Sequence, residues 1–137
     1  MSETTRTGGC YFGGVRYESS GAPSMQAQCH CRECQHITGG SPNVFMVVPK
    51  ATFSLTQGAV NSFTRSDIDN PVTRDFCPNC GTHLLTRSPN LPEAVILKVG
   101  SLDDPSEFDP QIAIFMCDTQ RFHTVPEGVA QFDRFPS

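Results

Sequence analysis

Hydrophobic residues in this chain come in short runs, and their period and composition are those of strands rather than helices. β-Branched and aromatic residues gather at 15–18, 43–48, 59–64, 72–76, 83–86, 94–99 and 112–117, with turn formers between nearly all of them, so seven strands are expected. Eleven glycines and eleven prolines interrupt the chain so often that no stretch sustains a 3.6-residue apolar repeat over several turns. Residues 32–38 come nearest. They predict one or two helical turns, closed by Gly39-Gly40, where glycine can take the left-handed backbone common at helix ends. The fold class expected is mainly β with short helical turns.

A chain of 137 residues suits one compact domain and is too short for two ordinary ones. Residues 1–7 are polar and read as a mobile tail rather than a signal peptide, leaving 8–137 as the domain. The segments 89–92 and 103–110 read as surface loops, and no internal repeat is evident. The longest apolar runs, 44–48 and 112–117, fall far below the ~20 residues that cross a bilayer, so a cytoplasmic protein with no membrane partner is expected. The net charge is −4 and the charges are scattered. Without a basic stripe, nucleic acid is not an expected partner.

Seven cysteines change the picture, because a disulfide scaffold is out of place in a reducing compartment. Cys29-His30-Cys31-Arg32-Glu33-Cys34 places two sulfurs on one side of an extended Cys-x-Cys pair, and the following turn brings round the third. Soft thiolates at this spacing select zinc or an iron-sulfur cluster, of which zinc is the simpler, and His30 and Arg32 then point away from the metal. The competing reading is a set of buried or redox-active thiols. Cys77-Pro78-Asn79-Cys80-Gly81 has the form of a zinc knuckle, two cysteines around a tight turn, and supplies half a site. Cys10, after Gly8-Gly9, offers a third sulfur. A thioredoxin-type Cys-x-x-Cys would instead open a helix in a βαβ unit, and the surrounding sequence is broken β.

These motifs, taken in order, resemble the glutathione-dependent formaldehyde-activating enzymes, a domain shared with centromere protein V. The similarity is carried by Gly8-Gly9-Cys10 with Gly13-Gly14-Val15-Arg16-Tyr17, by Cys29 to Cys34 with Thr38-Gly39-Gly40, by Phe76 to Thr82, and by Val99-Gly100-Ser101-Leu102-Asp103-Asp104-Pro105. The resemblance implies a single zinc-stabilised β-tent domain with two zinc ions. Cys29, Cys31 and Cys34 fall on the catalytic zinc, and Cys10, Cys77 and Cys80 on three of the four structural ligands. The fourth does not match: the family's opening Cys-x-Cys-Gly becomes Cys10-Tyr11-Phe12-Gly13 here, and a phenylalanine cannot bind zinc. Another group, water, or packing around Phe12 would have to take its place. Cys117 and His83 are the candidate substitutes, although Cys117, at the end of an apolar strand, reads more readily as a small buried hydrophobe.

The implied chemistry is that of a carbon-sulfur lyase, in which glutathione and formaldehyde combine to S-hydroxymethylglutathione. The partners are then a small thiol and a small aldehyde. Arg32, Lys50, Arg65 and Arg74 are possible partners for glutathione's carboxylates by position in sequence, and Glu33 reads as a solvated carboxylate on a helix face rather than a general base. The alternative is a non-catalytic zinc-thiolate protein that binds or carries glutathione or another small thiol. An interaction module of the centromere-protein kind would call for a basic extension, which is missing from this sequence.

Overall fold

The computed structural model describes residues 5–136. The strands are β1 (Thr5–Gly9), β2 (Arg16–Ser20), β3 (Met25–Cys29), β4 (Asn43–Pro49), β5 (Phe53–Gln57), β6 (Asn61–Thr64), β7 (Thr73–Phe76), β8 (His83–Arg87), β9 (Ala94–Lys98), β10 (Ile112–Ile114) and β11 (Ala130–Gln131). One helix, α1 (Arg32–Thr38), joins β3 to β4, and Gly39 closes it in the left-handed region at φ 85°. The class is mainly β. A small sheet runs β1-β2-β5 and a large one β11-β10-β3-β4-β9-β8-β7-β6. Pairing is antiparallel except that β10 lies parallel to both β3 and β11.

The two central strands explain why the sequence reads there as unbroken apolar runs. Successive strand side chains face opposite ways, and on β4 both sides are buried: Val44, Met46 and Val48 enter one core layer, Phe45 and Val47 another. On β9, Val95 and Leu97 enter the first layer while Ala94 and Ile96 enter the second. Lys98 follows on the second face, opposite Phe45. The first layer welds the sheets together, and each fully buried leucine in it, such as Leu84 or Leu97, contributes about 1.5–3 kcal/mol. The second layer, on the other face of the large sheet, contains Cys29 and Cys34.

Glycine decides how closely the sheets approach. Tyr17 of β2 is 1% exposed, and its hydroxyl shares a 2.7 Å hydrogen bond with Ser101 Oγ in the turn after β9. That turn reaches β1 through a bridge between Gly8 and Leu102. A Cβ on Gly8 would lie 2.4 Å from the Ser101 carbonyl oxygen and 2.4 Å from Tyr17 Oη, so only glycine fits. Asp103 ties the same corner from outside. It receives both arms of the Arg16 guanidinium, one at 2.9 Å, and the Thr7 hydroxyl at 2.7 Å.

Three expectations need correction. The strand expected over 112–117 stops at Ile114, because Phe115 turns left-handed at φ 55° and a 3-10 turn, Met116–Asp118, follows. Residues 5–7, assigned to a tail, are part of β1, while 1–4 lie outside the described residues. β1, β3, β5 and β11 were not expected. Their sequences, such as TRTGG and MQAQC, are polar or small, and they are held by backbone pairing to more apolar neighbours rather than by their own alternation.

Gly8→Ala should lower stability by about 2–3 kcal/mol through overpacking at the joint between the sheets. Gly100→Ala, whose Cβ would meet nothing within 4 Å, should leave urea unfolding nearly unchanged. Equal behaviour of the two variants would mean the joint yields. The Arg16 fork and the Thr7 hydroxyl hold the Asp103 carboxyl down at about 2, against an ordinary 3.8. A depressed carboxyl stabilises the fold fully above about pH 4 and loses that contribution as pH falls toward about 2. Asp103→Asn should therefore flatten the decline of the urea midpoint across that window, most visibly at low salt.

Candidate metal centres

Cys29 ends β3, Cys31 occupies the N-cap of α1, and Cys34 lies in the helix's first turn. The extended cap residue, φ −63° and ψ 155°, turns its sulfur back over the helix start, where it accepts the Cys34 N–H at 3.3 Å. The three Sγ atoms lie within 4.8 Å of one another. Ligands of a tetrahedral ion with ~2.3 Å metal–sulfur bonds stand about 3.8 Å apart, so this trio could hold a metal ion. Cys29 and Cys34 are buried and Cys31 is half-buried, which leaves the Cys31 side as the approach.

The loop is held rigidly from behind. His30 points away from the sulfurs, as expected, and is itself fully buried, at the base of a polar cluster. Its Nδ1 shares a 3.0 Å hydrogen bond with His123 Nδ1, and His123 Nε2 donates to the Gly40 carbonyl at 2.7 Å. Gln35 Nε2 donates to the carbonyls of His30 and Asp118 at 2.8 and 3.0 Å, and the Asp118 carboxylate accepts the Arg32 N–H at 3.2 Å.

The second trio is Cys10, Cys77 and Cys80, whose sulfurs also lie within 4.8 Å of one another. Cys10 follows β1, and its sulfur accepts the Val15 N–H at 3.3 Å. Cys77 and Cys80 flank a turn closed by Gly81 N–H to the Cys77 carbonyl at 2.9 Å, with Gly81 at φ 78°. Cys10 and Cys77 are buried and Cys80 is exposed. Phe12 is 67% exposed, so packing around its ring does not replace the missing sulfur. Neither candidate substitute joins the trio. Cys117 is exposed rather than buried, because the 3-10 turn carries it out of the sheet, and His83 packs instead against Phe76, ring centroids 5.7 Å apart.

The charges around the two trios differ. In the first, hydrogen bonds from Cys29 and Cys34 pull Cys31 down to about 2, while donating those bonds pushes Cys29 far above its usual range. Burial lowers Lys98 to about 8, against the attraction of Cys34, Cys29 and Cys31. In the second, the Thr82 hydroxyl, 3.2 Å from the sulfur, is the main cause holding exposed Cys80 at about 6.

Of the four basic residues expected near the site, two are brought there. Arg74 of β7 is buried and pairs with Glu33 at 2.5 Å, and Arg65 reaches Glu33 at 3.5 Å, so Glu33 is an ion-pair centre and not a solvated carboxylate. With Phe63, these residues line a cavity of about 230 Å³ beside α1. Arg32 is exposed and pairs with Gln35, and Lys50 sits in the turn after β4. Lys98 and Thr86 were missed. The available signal was a lysine inside the apolar run 94–99, where both faces of a strand are buried.

A mainly β scaffold that gathers two cysteine trios defines a protein able to hold metal at two places. Residues 5–118 match the glutathione-dependent formaldehyde-activating enzyme family, and the chain belongs to it. A crystal structure of a Rhodobacter sphaeroides protein is similar, with a TM-score of 0.58 at 17% sequence identity over 71% of this chain and 87% of that one. That likeness shows the fold alone.

Inductively coupled plasma mass spectrometry on the reduced protein should find two metal ions per chain. Cys31→Ser and Cys77→Ser should each remove a different one, and the double variant both. A metal-free wild type, or a Cys31→Ser variant with undiminished metal, would count against the trios as ligand sets.

Proposed function

We propose that this protein is a zinc enzyme of carbon-sulfur bond chemistry, a lyase joining a small thiol to a small aldehyde. The family to which it belongs points to glutathione and formaldehyde as that pair, and to S-hydroxymethylglutathione as the product. The observation that carries this reading is the Cys29, Cys31 and Cys34 trio, which among the described residues gathers no fourth His, Cys, Asp or Glu. Zinc held by three thiolates keeps a fourth position and lowers the pKa of a thiol that takes it.

The chain's own residues then do three things. His30, Gln35 and Asp118 fix the loop, so the sulfurs keep their spacing with or without a ligand. Lys98 offsets the net negative charge of three thiolates around a divalent ion. Arg65 lines the cavity, and its guanidinium, now forked onto Asp67, would take a carboxylate of an incoming peptide-like thiol by exchange of that exposed pair. Cys10, Cys77 and Cys80 would hold the structural zinc, the described residues forming one domain in a reducing cytoplasm. A non-catalytic carrier of small thiols is favoured by one observation: Glu33, engaged by two arginines, is not free to move a proton.

Zinc X-ray absorption on addition of glutathione should show a light-atom neighbour replaced by sulfur in the wild type, and no such change after Cys31→Ser. Exchange NMR of glutathione with formaldehyde should then show adduct formation above the spontaneous rate. A changed zinc shell without added exchange would select the carrier.

A further inference from the structure

Beside the first trio, the large sheet buries polar atoms that nothing among the described residues satisfies. Lys98 Nζ, Thr86 Oγ1 and His83 Nδ1 are all enclosed without a hydrogen-bond partner. Lys98 is 6% and Thr86 4% exposed. Native interiors leave few such groups, and a cluster of them marks a place where a partner is missing.

The three belong to one neighbourhood. Thr86 pairs in register with Ile96 on β9 and with Arg74 on β7, and strand alternation puts Lys98 on the same face as Ile96. His83 pairs in register with Phe76, two residues from Arg74 on β7, and Lys98 lies opposite Phe45, in the core layer that holds Cys29 and Cys34. The donors therefore border the sulfurs on the sheet side, yet Lys98 donates to none of them. Glu33, the carboxylate across from this face, is already engaged by Arg74 and Arg65. An ammonium and a hydroxyl buried unpartnered on one face of the sheet call for an acceptor, and oxygen carrying negative charge is the strongest one.

We infer that Lys98, Thr86 and His83 form an oxygen-recognition subsite contiguous with Cys29, Cys31 and Cys34, taking an anionic or hydroxyl oxygen of the ligand whose sulfur joins that trio. This rests on the thiol-binding reading above. The oxygen has two possible sources, a carboxylate of the thiol itself or the hydroxyl that an aldehyde leaves on its adduct. The polar groups are thereby assigned a role that the packing of the sheet does not give them.

The test is calorimetric titration of the zinc-loaded full chain with 3-mercaptopropionate, 2-mercaptoethanol and ethanethiol. Wild type should bind at least one oxygen-bearing thiol about ten-fold more tightly than ethanethiol, the size expected for a hydrogen bond to a charged group. Thr86→Val should erase most of that advantage and leave ethanethiol binding unchanged, and Lys98→Met should erase it whatever the change in ethanethiol affinity that loss of its charge beside the thiolates brings. A preference for 3-mercaptopropionate identifies the thiol's own carboxylate, and one for 2-mercaptoethanol the adduct's hydroxyl. Equal binding of all three by wild type, or an advantage surviving both substitutions, overturns the subsite while leaving thiol binding intact. No binding of any thiol overturns the thiol reading itself, and the subsite with it. Should Lys98→Met fail to fold or retain zinc, Thr86→Val, nearly isosteric and uncharged, decides alone.

Discussion

Three thiolates within 4.8 Å of one another repel strongly unless something positive stands among them, and this chain builds that arrangement twice. The constraint shapes everything near the sulfurs. Backbone N–H groups of Val15, Cys34 and Asn79 point at them, Lys98 is buried beside the first trio, and glycine closes the turn at the second. Such features make little sense for ordinary buried thiols. They follow directly if the sulfurs are to share one cation.

The two trios are nonetheless placed for different work. Cys10, Cys77 and Cys80 join the end of β1 to the turn between β7 and β8, so an ion there would link the two sheets. Cys29, Cys31 and Cys34 lie within six residues of continuous chain, on the outer face of the large sheet, with charged residues and a cavity at their side. An ion held by Cys10, Cys77 and Cys80 would act as a fastener, whereas the Cys29, Cys31 and Cys34 site has other surroundings. An ion there would have neighbours able to receive a ligand.

Much of this was legible in the sequence, for reasons that particular residues make plain. The cysteine spacing fixes local geometry, so both trios could be anticipated before any fold was known. The strands 43–48 and 94–99 announced themselves because both faces of β4 and β9 are apolar. β1, β3 and β5 did not, since polar strands at a sheet edge or beside a cysteine trio depend on neighbours for their conformation. The row Phe63, Arg74, Thr86 and Ile96 was equally hidden. It exists only through the register of four strands, which no local pattern encodes.

The polar bracing behind the first trio comes from the far end of the chain. Asp118, His123 and Thr124 bond Arg32, Gln35, His30 and Gln28 across some of the largest sequence separations in the molecule. On a ribosome, the cysteine loop therefore emerges long before the segment that makes it stiff. Metal captured early would bind a pliable loop, and the final geometry would be set only when residues 118–124 dock. The order of synthesis thus separates acquisition of the ion from completion of the pocket that serves it.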